Sequence, residues 1–202
     1  RRTLGAAKPL VTANKAMLAH HGLELAEAAE KVGLPLKYEA AVAGGIPVIK
    51  GLAEGAAANR ITRVYGLMNG TCNYILSRME AEGLGFGDVL ADAQELGFAE
   101  ADPSFDIDGI DTAHKLSILA ALAFGARIDF AGVACHGIRN VAAADIAQAA
   151  ALGFRIKLVG LAEAENGEMF QRVHPALVPI DHPIATTMGS LNAVVVEGDF
   201  VG

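Results

Sequence analysis

The stretch Arg155 to Leu177, R-I-K-L-V-G-L-A-E-A-E-N-G-E-M-F-Q-R-V-H-P-A-L, decides the fold. Arg155 to Ala164 and Phe170 to Leu177 read as strands. Asn166-Gly167 between them is a strong hairpin signal, because a two-residue turn needs positive φ at both positions. A third strand follows at Ala193 to Glu197. Upstream of the hairpin the pattern is helical. Thr112 to Phe124 is a strongly apolar helix closed by Gly125, Phe86 to Leu96 a helix with Gly97 at its C-terminus, and Ala142 to Leu152 an Ala-rich helix with Asp145 early in it. Ile61 to Met68 is a strand ending in the turn signal Asn69-Gly70, after which Thr71 opens an amphipathic helix to about Glu82.

Nearer the N-terminus, Pro9 to Thr12 reads as a short buried strand. Asn14 caps a helix over Lys15 to Val32, where Leu18, Leu25, Ala29 and Val32 fall at helical spacing. Gly33 and Pro35 stop that helix, and Gly22 weakens it. Leu36 to Val42 reads as a strand running into the turn Ala43-Gly44-Gly45-Ile46-Pro47, with a helix from Val48 to Glu54. Early βα elements, a helical middle and a final run of antiparallel strands make an α+β fold, a mixed sheet with helices on one face. The other sheet face needs a cover, and a second subunit is a natural one.

The composition bounds the function. The 202 residues are 52% hydrophobic and 19% charged, enough for a substantial core and too apolar for disorder. A net charge of −7 and the lack of a Lys/Arg-rich run argue against nucleic acid or an anionic membrane as partner. No apolar run reaches membrane-spanning length, and the N-terminus carries no signal-peptide pattern. Cys72 and Cys135 form no CxxC pair, which fits a reducing cytoplasm. With no initiator Met, the chain is expected to be cut from something longer.

Chemistry concentrates in Gly97 to Lys115, G-F-A-E-A-D-P-S-F-D-I-D-G-I-D-T-A-H-K. Glu100, Asp102, Asp106, Asp108 and Asp111 crowd an acidic loop that runs into the apolar helix. Asp111 and Lys115 stand four residues apart, on one helix face. A lysine at the edge of a buried helix loses some preference for its charged form, while carboxylates restore it. A lysine so balanced can exchange a proton, as an acid–base catalyst must. The plainer alternative is a helix-start salt bridge. A calcium loop at D-I-D-G fails: Ser104 would be its first ligand and Lys115 its last, where Asp and a bidentate Glu are needed.

Three further segments each admit a structural and a functional reading. Val11-Thr12-Ala13-Asn14-Lys15 is either a helix cap with a surface lysine or a ligand site beyond a strand's carboxyl end. Glu39 to Pro47 is either a tight turn or, through irregular carbonyls at Gly44 and Gly45, a hard-cation site. Asn69 to Tyr74 is either an ordinary capped helix or a helix start facing an anion. The histidines show no metal-ligand spacing, no GxSxG elbow is present, and the cysteines suit small core positions.

Together, and in this order, V-T-A-N-K-A, Y-E-A-A-V-A-G-G-I-P-V-I, G-L-M-N-G-T-C-N-Y-I-L and L-G-F-A-E-A-D-P-S-F-D-I-D-G-I-D-T-A-H-K-L-S-I-L closely resemble the homoserine dehydrogenase family. The likeness is strongest up to about residue 125 and runs on weakly to N-A-V-V-V-E-G-D-F-V-G. It implies interconversion of L-homoserine and L-aspartate 4-semialdehyde with NAD or NADP, on the route to threonine, isoleucine and methionine. It implies that Lys115 is the acid–base lysine, with Lys15 and Asp111 beside it as catalytic residues, and that Glu100, Asp106 and Asp111 hold the substrate. Lys15 would stand near cofactor and substrate, and Gly97 would touch the cofactor. Glu39, Val42, Gly44 and Ile46 would form a monovalent-cation (sodium) site. A homodimer is implied as well.

The resemblance also divides the chain. Residues 1–37 would be the last βα elements of a Rossmann-type nucleotide-binding domain, 38–190 the catalytic and dimerisation domain, and 191–202 a return segment. No GxGxxG fingerprint occurs in the 202 residues, and the family carries it upstream of Thr12. These residues alone are therefore expected to bind the dinucleotide poorly and turn over little. The competing expectations are a related semialdehyde or amino-acid dehydrogenase, and a non-catalytic cation-binding or dimerisation module.

Overall fold

A computed structural model describes residues 1–200. The chain opens with a one-turn helix, α1 (Arg2–Gly5), and a two-residue strand, β1 (Leu10–Val11). Helix α2 (Lys15–Lys31) follows, capped by the Asn14 side chain, which accepts from the Met17 amide at 2.9 Å. Strand β2 (Leu36–Lys37) pairs parallel with β1. The strand expected from Leu36 to Val42 is thus only two residues long, and Glu39–Ala41 is a 3-10 turn. Its cause lies ten residues on: both Glu39 carboxylate oxygens accept backbone amides, from Ile49 and Lys50, each at 2.9 Å. That ties the chain back on itself, and Ala43 and Gly44 complete the bend in left-handed backbone. The first strand also departs from expectation, since Val11 is 77% exposed rather than buried.

Helix α3 (Val48–Lys50) widens into a π-type turn at Gly51–Gly55, and strand β3 (Ile61–Leu67) leads into α4 (Gly70–Glu82) and α5 (Phe86–Glu95). The acidic loop contains one helical turn, α6 (Ser104–Ile107), before the long apolar helix α7 (Ile110–Phe124). Then come β4 (Ala134–Cys135), α8 (Ala143–Ala151), the hairpin β5 (Phe154–Glu165) and β6 (Glu168–Pro179), a short α9 (Pro183–Thr186) and β7 (Ala193–Gly198). The hairpin turn is as expected, with Asn166 at φ 52° and Gly167 at φ 82° and Glu165 opposite Glu168.

Five strands form one sheet in the order β4-β6-β5-β3-β7. Only β4 runs parallel to its neighbour, β6; the other pairings are antiparallel. Helices α4, α7 and α8 pack on one face. Ala113, Leu116, Ile118, Leu119 and Ala120 of α7 are at most 1% exposed, because the helix lies between that sheet and α2. Burying each Leu or Ile there contributes about 1.5–3 kcal/mol. Gly22 belongs to this packing: a Cβ on it would stand 2.5 Å from Ile128 Cδ1. The opposite sheet face holds a second apolar cluster around Leu67, Val159 and Val178, covered at one end by Ile184 and Ala185 of α9. Tyr65, Leu161, Ala176 and Val195 remain half-buried on it. No helix among the described residues is long and apolar enough to cross a membrane.

Candidate functional site

The sheet delivers one strand end to the site. Strand β3 finishes beneath the start of α7, where Met68 is fully buried and its carbonyl faces inward. The next residue, Asn69, caps α4: its side-chain oxygen accepts from the Cys72 amide at 2.8 Å. Helix α7 begins at Gly109, in left-handed backbone at φ 86°, and brings Asp111 and Lys115 to the same place one turn apart.

Lys115 Nζ donates to Asp111 Oδ2 and to the Met68 carbonyl, both at 2.6 Å. Asp111 is 3% exposed. Its other oxygen, Oδ1, lies 3.0 Å from Lys15 Nζ, carried in by the first turn of α2. Two lysines far apart in sequence thus converge on one buried carboxylate. Asn69 Nδ2 donates to Asp111 Oδ2 at 2.9 Å and to Asp106 Oδ1 at 2.7 Å. Thr71 Oγ1 reaches Asp106 Oδ2 at 3.4 Å and the Phe98 carbonyl at 2.9 Å. Lys15 also stands 5.6 Å from the Phe105 ring centroid, within cation–π range. Burial pushes the Asp111 carboxyl up. The Lys115 charge and hydrogen bonds from Lys115, Asn69 and Lys15 outweigh it, and the group sits below its ordinary range.

Of the residues singled out in the sequence, Lys15, Asp106, Asp111 and Lys115 therefore share one hydrogen-bonded network. Glu100 is exposed, and among the described residues its carboxylate makes no hydrogen bond or ion pair. Its backbone is held by Gln94, whose amide donates to the carbonyls of Glu100 and Ala101. Gly97 ends α5 at φ 77°, with open space where a Cβ would be. Glu39, Val42, Gly44 and Ile46 lie together on the bend after β2. No hydrogen bond among the described residues reaches the carbonyls of Val42 or Gly44, while that of Ile46 accepts from Val48 at 2.8 Å. Glu39 uses both oxygens on backbone amides.

Neither cysteine nor histidine chemistry is placed at the site. Cys72 is fully buried, with Sγ against the Asp106 carbonyl at 3.2 Å, and burial together with nearby Asp106 and Asp111 holds its thiol well above the ordinary range. His114 is packed into rings: its centroid is 4.3 Å from Phe130 and 5.2 Å from His20. Burial, then His20, pushes its pKa down. No group of three or more His, Cys, Asp or Glu able to hold a metal occurs among the described residues.

Two participants were not legible beforehand. The Met68 carbonyl carries no sequence signal at all. Asn69 reads as the turn into a capped helix, but nothing local signals its bonds to Asp106 and Asp111.

Comparison with known proteins places this arrangement. Residues 47–202 match the family model described as Homoserine dehydrogenase. A homoserine dehydrogenase of Synechocystis sp. is 52% identical over 199 residues, covering 96% of this chain and 46% of that protein. One from Pseudomonas aeruginosa is 52% identical over 195 residues, covering 96% of this chain and 45% of that protein. The crystal structure of a homoserine dehydrogenase from Thiobacillus denitrificans superposes with a TM-score of 0.97 at 50% identity, covering 98% of this chain and 46% of that one. A hyperthermophilic archaeal homoserine dehydrogenase in complex with NADPH superposes at 0.84 with 30% identity, covering 98% of this chain and 57% of that one. These matches define the class by its fold, the α+β architecture of solved homoserine dehydrogenases. More narrowly, the chain belongs to the homoserine dehydrogenase family. It spans somewhat under half the length of the curated relatives it matches.

Proposed function

We propose that this chain is the catalytic region of an enzyme that interconverts L-homoserine and L-aspartate 4-semialdehyde, in the cytoplasmic synthesis of threonine, isoleucine and methionine. The observation that carries the reading is the Lys115–Asp111–Lys15 cluster. An ammonium has three donors. Two of those on Lys115 are taken by Asp111 and Met68, and the third is left for a substrate oxygen. In the reducing direction the aldehyde oxygen gains negative charge as hydride arrives at carbon, and the Lys115 ammonium stabilises that charge and delivers the proton. In the oxidising direction the same nitrogen takes the hydroxyl proton. Asp111 and Asp106 in the network, with Glu100 reaching in from the exposed loop once substrate is bound, would select a substrate carrying an ammonium group.

The hydride itself passes to or from a nicotinamide dinucleotide, NAD or NADP. The residues present suit that group. The parallel pair β1 and β2 ends at the entrance to α2, where a third of the Lys15 side chain is exposed, and Gly97 leaves open space beside Thr71 and Phe98. Lys15 would meet cofactor and substrate there, and Gly97 would line the cofactor side. We assign residues 1–37 to the nucleotide-binding part, 38–190 to catalysis and dimerisation, and 191–202 to the return segment, of which the last two residues lie outside those described. The 202 residues hold no GxGxxG turn, so by themselves they should bind dinucleotide weakly and turn over little.

The carbonyls of Val42 and Gly44, which accept no hydrogen bond among the described residues, suit a hard monovalent cation such as sodium. The half-buried sheet face around Tyr65, Leu161 and Ala176 suits a second copy of the chain, making a homodimer. An aldehyde-oxidising reading would need a reactive thiol, and Cys72 is too buried to serve. The decisive experiment is Lys115→Ala in the full-length enzyme, assayed for homoserine-dependent dinucleotide reduction. Turnover should fall about 10²- to 10⁴-fold with the fold retained. Wild-type turnover in the variant, or none in the parent, rejects the assignment.

A further inference from the structure

We infer that Asn69 is a positioning residue for the reaction: one side-chain amide holds the Asp111 and Asp106 carboxylates in place beside the lysines. The inference rests on the dehydrogenase reading and adds to it a residue that touches no reacting atom.

Asn69 is 6% exposed and sits at the junction of β3 and α4. Its amide group has two hydrogens and one oxygen that can serve neighbours. One hydrogen goes to Asp106 Oδ1 at 2.7 Å and the other to Asp111 Oδ2 at 2.9 Å. The oxygen accepts from the Cys72 amide at 2.8 Å. Both donors and the oxygen are thus engaged at once, and the side chain cannot rotate without losing all three.

That geometry matters because two carboxylates meet across it. Without that donor both side chains would lose the bond that fixes their direction, and Asp111 one of the hydrogen bonds that keep it below its ordinary range. A protonated Asp111 accepts more weakly from Lys115 and Lys15, and the direction of the Lys115 ammonium would be lost. The groups facing Asp111 are Lys15 from α2, Asn69 at the start of α4, Asp106 from α6, and Lys115 on its own helix. Cys72, Asp108 and His114 stand behind them. Among these, Asn69 is the neutral group bonded to both carboxylates. The same residue caps α4, so a stability role and a positioning role must be separated.

Asn69→Asp and Asn69→Ser do so, because Asp and Ser are also good caps but neither supplies two donors. Both are made in the full-length enzyme and assayed for homoserine oxidation across pH, with thermal melts alongside. The melting temperature reads the stability cost separately, and some loss is expected at a buried position that bonds two carboxylates. We expect kcat/KM to fall about 10- to 100-fold, the scale of a lost hydrogen bond to a charged group. The acidic limb of the kcat/KM profile should move to higher pH, further in the Asp variant than in the Ser variant. Folded variants with wild-type kcat/KM and an unmoved acidic limb overturn the inference. An inactive parent enzyme instead rejects the dehydrogenase reading, so the two failures are distinct.

Should neither variant fold, the wild-type enzyme decides. With asparagine labelled by nitrogen-15, the Asn69 side-chain amide should resist solvent exchange and shift through the same pH range as the acidic limb. An amide that exchanges freely and does not shift across that range overturns the inference.

Discussion

Lys115 Nζ and Asp111 Oδ2 lie 2.6 Å apart on successive turns of one helix, with the carboxylate almost wholly removed from water. A buried ion whose partner is removed keeps its desolvation cost, so breaking such a pair costs about 3–5 kcal/mol. Asp111→Asn preserves shape but leaves the Lys15 and Lys115 ammoniums without their shared anion. Because the folded Asp111 carboxyl titrates below its ordinary range, its stabilisation is complete above the unfolded value, about pH 4. It disappears as pH falls through the lower folded value. The variant should therefore be less stable at neutral pH and show a shallower loss toward acid. Urea melts from pH 7 downward test this, and parallel curves for the two proteins would count against it.

Lys157 gives the opposite limb. It is 1% exposed and donates to Asn73 Oδ1 and the Thr187 carbonyl, both at 2.8 Å, with no ion pair to a carboxylate among the described residues. Burial pushes its pKa down to about 8, against a partial lift from Glu80. Between that value and the ordinary 10.5 the unfolded chain binds more protons, so stability should rise with pH across this window. The rise has an upper size of about 3 kcal/mol. Lys157→Met should abolish it. Denaturant melts at pH 7.5 and pH 10 decide, and a slope that persists in the variant contradicts the assignment to this amine.

At Gly66, β3 passes close against the backbone of β7. A Cβ there would stand 2.0 Å from the Ala193 carbonyl oxygen and 2.9 Å from Val194 Cα. Backbone cannot yield as a flexible side chain can, so Gly66→Ala should cost about 3 kcal/mol or more. Met68 lies two residues on, so turnover should fall even at temperatures where the variant is folded. Circular dichroism melts and steady-state assays on one preparation check both effects.

Thiol reagents provide a negative control. With Cys72 fully buried and its thiol held protonated, native protein should label there far more slowly than unfolded protein. Peptide mass mapping after timed alkylation measures this. Rapid labelling at Cys72 accompanied by loss of homoserine oxidation would reopen cysteine chemistry.

The elements that local sequence controls were legible. The hairpin at Asn166-Gly167, the cap at Asn14 and the stops at Gly97 and Gly125 depend on residues within a few positions of one another. The pairing of Asp111 with Lys115 follows from helical spacing. What failed depends on distant partners. Tyr38 to Val42 is apolar enough for a strand, but Glu39 is captured by amides of the next helix. Strand β4 is two residues at a sheet edge, too short for any periodicity. The convergence of Lys15 on Asp111 needed the packing of α2 against α7, and only the family resemblance anticipated it.

The packing of α2 against α7 has a mechanical consequence. Lys15 rides on the first turn of one rod and Asp111 on the first turn of the other, so their 3.0 Å separation gauges the crossing of the two. Any change in that crossing would alter the gap without breaking a hydrogen bond inside either rod. The separation thus records how the segment carrying Lys15 is aligned with the segment carrying Asp111 and Lys115.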